Sequence, residues 1–306
     1  MTLRAADSVL QPALLDQARA LTARARMLAD GAGMGIHRSR RLGGGSEFSE
    51  HKNYSPGDDL RRMDWKVYGR TDRHVVKRFE SDRQVEVLLV LDRSGSMAFG
   101  STADATPSRP ELPPPRNKWD AARTLALALA FVFLRQGDRV GLALVDGGGA
   151  ALLPPRGGER QLHEMARQVL ADEPTGETAL HSALRDVVGR HPRALVILLS
   201  DLLCAEPDDW RVPLAVHRAR GRMAWVLHVV DPAEISFPYD EPTRFVGLEG
   251  EGELGLNPRE LAATYRMEFE SFMKSQADAC LDSSLLYCRV NTGEALDGPL
   301  LTLLRG

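Results

Sequence analysis

A chain of 306 residues allows one large or two modest domains, and its 43% hydrophobic content is enough to bury a sizeable core. A net charge of −3 gives no overall pull toward nucleic acid or a membrane surface. Cys204, Cys280 and Cys288 lack Cys-x-x-Cys spacing, which argues against a disulfide framework or a zinc site.

Leu10, Leu14, Leu15, Ala18, Leu21, Ala25 and Leu28 recur at helical spacing and predict a helix over residues 10–29, stopped by Asp30–Gly31. The first residues lack the apolar core of a signal peptide, and the longest apolar run, Leu125–Leu134, is too short to span a bilayer. A cytoplasmic chain without direct membrane insertion is expected. Residues 31–45 are rich in Gly and Arg and read as a mobile or ligand-contacting loop. Residues 46–84 are polar, dense in charged and aromatic side chains, and centred on the turn Tyr54–Ser55–Pro56–Gly57–Asp58–Asp59. Val75–Glu80 reads as a strand.

From Val85 strand and helix alternate. Strands are predicted at 85–91, 139–145, 194–200, 223–230 and 284–290. Helices are predicted at 117–135, 158–171, 178–190, 208–219 and 258–279. Residues 100–116 read as a floppy insertion and 231–256 as a long irregular crossover. The alternation predicts an α/β fold with a doubly wound, mainly parallel sheet, carrying an N-terminal helix and a β-rich insertion. The organisation expected is residues 1–84 as N-terminal helix and signature region, and residues 85–306 as the sheet domain. Ligands of such sheets bind outside the carboxyl ends of the strands.

The apolar run Val85–Leu91 ends in Asp92–Arg93–Ser94–Gly95–Ser96. That places one carboxylate and two hydroxyls at alternate positions on a turn. Thr178 and Asp201 follow, the latter directly after the buried run Ala194–Ser200. Asp-x-Ser-x-Ser by itself is also a common turn composition. Together, Asp92, Ser94, Ser96, Thr178 and Asp201 form an all-oxygen set suited to a hard cation, Mg²⁺ or another divalent ion such as Mn²⁺ or Ca²⁺. This set resembles the metal-ion-dependent adhesion site of von Willebrand factor A domains. The resemblance implies a Rossmann-like fold with a cation at the sheet's carboxyl edge. One coordination position would be left for an acidic side chain of a partner protein.

A second resemblance covers nearly the whole chain. It rests on Glu47–Phe48, on Tyr54-x-Pro56–Gly57–Asp58–Asp59–Leu60–Arg61–Arg62–Met63–Asp64–Trp65–Lys66 and on Arg70–Thr71. Arg135–Gln136–Gly137–Asp138–Arg139–Val140–Gly141–Leu142 and Asp231–Pro232–Ala233–Glu234 extend it. These blocks are similar to the signature of the bacterial DUF58 family. The resemblance implies an adaptor or co-factor for a MoxR-type AAA+ ATPase, or for its client, in chaperone-like assembly. Two accounts of Tyr54, Pro56, Gly57, Asp58, Arg61, Asp64, Trp65 and Arg70 stay open. One is a structural salt-bridge network with Tyr54 and Trp65 packed beneath it; the other is a docking surface.

Other chemistries find little support. His163–Glu164–Met165–Ala166–Arg167 has Arg where a zinc protease needs its second His. There is no phosphate-binding Gly-x-x-x-x-Gly-Lys-[Ser/Thr] loop and no Gly-x-Ser-x-Gly elbow. His181 follows Thr178 by about one helical turn, and a surface histidine is its simpler reading. The expected function is therefore non-enzymatic, metal-dependent protein–protein interaction. The alternative is Mg²⁺-dependent hydrolysis of phosphate esters, which lacks a positioned base. Nucleic-acid binding is not expected.

Overall fold

A computed structural model describes residues 12–31, 42–55, 63–80, 84–101 and 115–305, apart from 172, 205 and 207. The chain forms two compact units, residues 36–85 and residues 1–35 with 86–306. Helix α1 (Pro12–Gly31) belongs to the larger unit, although the sequence groups it with residues 30–84. It packs against helices α3 and α4 (Lys118–Arg135 and Glu159–Ala171, below) through Leu21, Ala25 and Leu28, buried at helical spacing.

The smaller unit pairs β1 (Leu42–Asn53) antiparallel to β2 (Val75–Glu80), with α2 (Trp65–Thr71) between them. The loop read over 31–45 thus gives way to a strand at Leu42, and residues 32–41 lie outside the described residues.

In the larger unit, six strands form one sheet: β3 (Glu86–Asp92), β4 (Arg139–Asp146), β5 (Gly149–Arg156), β6 (Leu195–Ser200), β7 (Ala224–Val230) and β10 (Leu286–Asn291). Their order is β10-β7-β6-β3-β4-β5, parallel throughout except for β5, which returns antiparallel to β4 at the edge. The sequence reading missed β5. Pro154 and Pro155 argue against a central strand, but an edge strand has no outer neighbour to receive their missing N–H groups.

Alternation sorts the central strands onto two faces. Leu88, Val90, Val196, Leu198 and Val226 form one core with α5 (Leu180–Arg190), α6 (Arg211–Ala219) and the far end of α8 (Pro258–Asp282). Helices α3, α4 and α9 (Asp297–Arg305) serve the other side, where α3 touches β3, β4, β6 and β7. Residues 231–256 are more ordered than expected: they hold α7 (Pro232–Ser236) and a hairpin of β8 (Thr243–Val246) with β9 (Glu253–Leu256). The proposed insertion at 100–116 falls largely on 102–114, outside the described residues. Among the described residues no helix is long and apolar enough to cross a membrane.

Candidate metal site at the carboxyl edge of the sheet

Asp92 ends β3 in the middle of the sheet, and its side chain is fully buried. Its Oδ1 accepts the Ser94 amide at 3.0 Å, which folds the chain into the turn that carries the serines. Its Oδ2 accepts the Ser200 hydroxyl at 2.6 Å, from the end of neighbouring β6. Ser200 Oγ in turn accepts the Leu202 amide at 2.9 Å. Leu202 has φ +60°, a left-handed conformation that a branched side chain seldom adopts, so the backbone immediately after Asp201 is strained.

Ser94 Oγ and Ser96 Oγ lie 3.0 Å apart. Thr178 arrives on a segment bonded to the same turn: the Gly95 amide donates to Gly176 O at 2.8 Å, and the Thr175 amide to Arg93 O at 3.1 Å. Gly176 takes φ +70° to make that approach. Thr178 Oγ1 is shielded from solvent and has no hydrogen-bond partner. Burial, and then the nearby Asp201 charge, push the Asp92 carboxyl up to about 6, against the opposing bonds from Ser200 and Ser94. The structure therefore gathers Asp92, Ser94, Ser96 and Asp201 around one strand end, with the Thr178 segment tied to it.

Asp201 has a protein cation beside it. Lys118 Nζ donates to Asp201 Oδ2 at 2.7 Å and to Glu234 Oε1 at 2.6 Å, with the lysine side chain fully enclosed. Burial favours losing that proton, but Asp201 and Glu234 outweigh it and hold the ammonium above the ordinary lysine range. Asp201 Oδ1 accepts the Leu203 amide at 3.2 Å. Glu234 belongs to a capping box at the start of α7, where its Oε2 accepts the Asp231 amide at 2.8 Å. The Asp231–Pro232–Ala233–Glu234 block is thus a helix start that grips Lys118. Cys204 lies close enough that its thiol, raised first by burial, is raised further by Asp92 and Asp201.

Sequence reasoning missed Ser200, Lys118, Glu234 and Glu249. A basic residue in the first turn of a helix opposes the helix dipole, so Lys118 at the start of α3 carried a readable signal. Glu249, from the β8–β9 turn, accepts the Ser96 amide at 3.2 Å, and nothing in the local pattern marks it. His181 stands 3.7 Å from Asp209.

The signature region differs in part from the network expected of it. Asp64 is buried and caps α2, accepting the Lys66 and Val67 amides at 3.0 and 3.3 Å. Trp65, which the network account packs beneath charged groups, is 63% exposed and stands perpendicular to the Tyr68 ring. The reason is its place as the first residue of α2, on the solvent side of a seven-residue helix with no buried residues. Tyr54 is half-buried and Arg70 exposed. Pro56, Gly57, Asp58 and Arg61 lie outside the described residues.

The family profile described as "Protein of unknown function DUF58" matches residues 50–279. Uncharacterized protein Rv1480 of Mycobacterium tuberculosis is 31% identical over 231 residues, covering 74% of this chain and 68% of its own. Uncharacterized protein YeaD of Bacillus subtilis is 31% identical over 80 residues, 24% of this chain and 20% of its own. Among solved structures, the conserved hypothetical protein BatB from Bacteroides thetaiotaomicron aligns with TM-score 0.41 and 17% identity over 72% of this chain and all of its own. The open pilus adhesin SpaC from Lactobacillus rhamnosus GG aligns with TM-score 0.46 and 12% identity, over 73% of this chain and 30% of its own.

Proposed function

The chain belongs to the DUF58 family, and from the oxygen groups at the carboxyl edge of its sheet we propose that it is a metal-dependent protein–protein interaction module. The observation that carries this reading is the Thr178 hydroxyl, buried without a partner on a segment bonded to the Asp92–Ser96 turn. An unsatisfied buried hydroxyl costs free energy that a cation would recover. The carboxyl of Asp92, pressed toward protonation, has the same need. Among the described residues no three His, Cys, Asp or Glu side chains gather to hold a metal by themselves, so a cation here would depend on the hydroxyls. Such a mixed oxygen set suits Mg²⁺.

Asp92, Ser94, Ser96, Thr178 and Asp201 would hold the ion, and the ion would supply a coordination position for an acidic side chain of a partner. Lys118 holds the Asp201 carboxylate in place from the protein side. The partner proposed is a MoxR-type AAA+ ATPase or its client, as the family resemblance implies. No described histidine is bonded to either serine, and His181 sits beside Asp209, so the hydrolase alternative has no histidine base here.

The test is capture of a co-encoded MoxR-type ATPase by the wild-type protein in Mg²⁺ or in chelator, and by Asp92→Ala. Capture should need both Mg²⁺ and Asp92. Equal capture in all three conditions would show that the cation is not the binding element and would move the docking surface to residues 46–78.

A further inference from the structure

The serine turn is covered by the tip of the β8–β9 hairpin. Glu249 Oε1 accepts the Ser96 amide at 3.2 Å. The carbonyl of the preceding Leu248 lies so close to Gly95 that a Cβ there would run into it. Two adjacent tip residues thus seat on two adjacent turn residues, and the seat exists because position 95 has no side chain. The group delivered is a carboxylate, the kind of ligand that a hard cation in this turn would accept from a partner.

The hairpin is held firmly at its base and lightly at its tip. Phe245 of β8 stacks with Phe237 at 5.8 Å between ring centres and meets Tyr239 edge-on at 5.4 Å, and Phe237 meets Tyr265 of α8 at 4.4 Å. Beyond that cluster Val246, Leu248 and Leu254 are exposed. The tip is pre-shaped by its own bonds, Gly247 amide to Gly252 O at 2.7 Å and Glu249 amide to Glu251 Oε2 at 2.9 Å. Few buried apolar contacts and one bond to the turn describe a segment that opens locally at small cost while its base stays put.

We propose that Glu249 is a built-in stand-in for the partner's carboxylate: the hairpin tip covers the serine turn until an external carboxylate displaces it. This rests on the metal-dependent reading above and adds its regulation. A site open only a fraction of the time binds its ligand more weakly by that fraction. A tip seated about nine-tenths of the time would weaken capture of an external carboxylate about tenfold.

The test uses the full chain as wild type, Glu249→Ala and Glu253→Ala. Glu253 pairs with Arg244 across the hairpin and serves as a control for lost negative charge. Two quantities are read: exchange of the Ser96 amide without metal, and broadening of acetate methyl protons by protein-bound Mn²⁺. Glu249→Ala should exchange Ser96 faster and reach half-maximal broadening at about tenfold less acetate. Glu253→Ala should match wild type, and thermal melting should confirm that each variant is folded. The proposal fails if Mn²⁺ binds but Glu249→Ala matches wild type in acetate response, whether or not its amide exchange changes. It also fails if Glu253→Ala reproduces the effect. Absence of Mn²⁺ binding to every form would instead sink the metal reading itself, and this inference with it.

Discussion

Lys118 Nζ donates to Asp201 Oδ2 at 2.7 Å inside the protein, and the same ammonium holds Glu234 at 2.6 Å. Removing one member of such a group leaves the others charged and buried, which costs more than the pair itself contributes. Lys118→Met should therefore destabilise the fold by about 3–5 kcal/mol. Urea denaturation measures it directly. A loss below about 1 kcal/mol, as for an exposed ion pair, would mean that the network is not held in the folded protein.

Asp92 gives a pH-dependent prediction of opposite sign. Its carboxyl titrates near 6 in the fold and at 3.8 when unperturbed. Between those values the folded state keeps a proton that the unfolded state has lost. The stability contributed by Asp92 therefore falls as pH rises through that window and stays lost above it. Asp92→Asn should raise stability at pH 7 without metal by on the order of 2 kcal/mol, and the gain should shrink toward pH 4. Mg²⁺ should raise the melting temperature of wild type only. Melting curves in chelator and in Mg²⁺ at both pH values check each part; a variant less stable than wild type at pH 7 would contradict the sign.

Thr178→Val separates metal binding from folding. It deletes a buried hydroxyl that has no partner, so metal-free stability should hold or rise by up to about 1 kcal/mol. Mg²⁺ affinity by calorimetry should drop because one oxygen is gone. Unchanged affinity would remove Thr178 from the site.

The smaller unit is tested by two neighbouring residues. Asp64→Ala removes the N-cap of α2 and should cost about 1 kcal/mol. Trp65→Ala, on an exposed ring, should change stability by no more than about 0.5 kcal/mol. A soluble Trp65→Ala protein that melts normally but no longer captures its partner would assign Trp65 to docking.

The parallel core was readable because strands buried on both faces are unbroken runs such as Val87–Leu91 and Leu195–Leu199, with helix-length stretches between them in the chain. Asp92, Ser94 and Ser96 were readable because they are local to one turn. Glu234 and Glu249 were not, because their roles exist only across segments far apart in the chain, and Lys118 showed only as a basic residue at a helix start, without its partners. Trp65 stayed undecided because an aromatic among charges gives the same pattern whether it is covered or bare; the short α2, with no buried residues, leaves the ring exposed.

The separation of 108 residues from Asp92 to Ser200 also orders the site in time. A growing chain emerges from its N-terminus, so the Asp92–Ser96 turn leaves the ribosome first, then Lys118, then Thr178, and only afterwards β6 with Ser200 and Asp201. No nascent chain shorter than β6 can join the halves of the site, because β3 and β6 are the strands that bring them side by side. Glu234 and Glu249 emerge later still. The residue that covers the serine turn is thus the last part of the site to be synthesised.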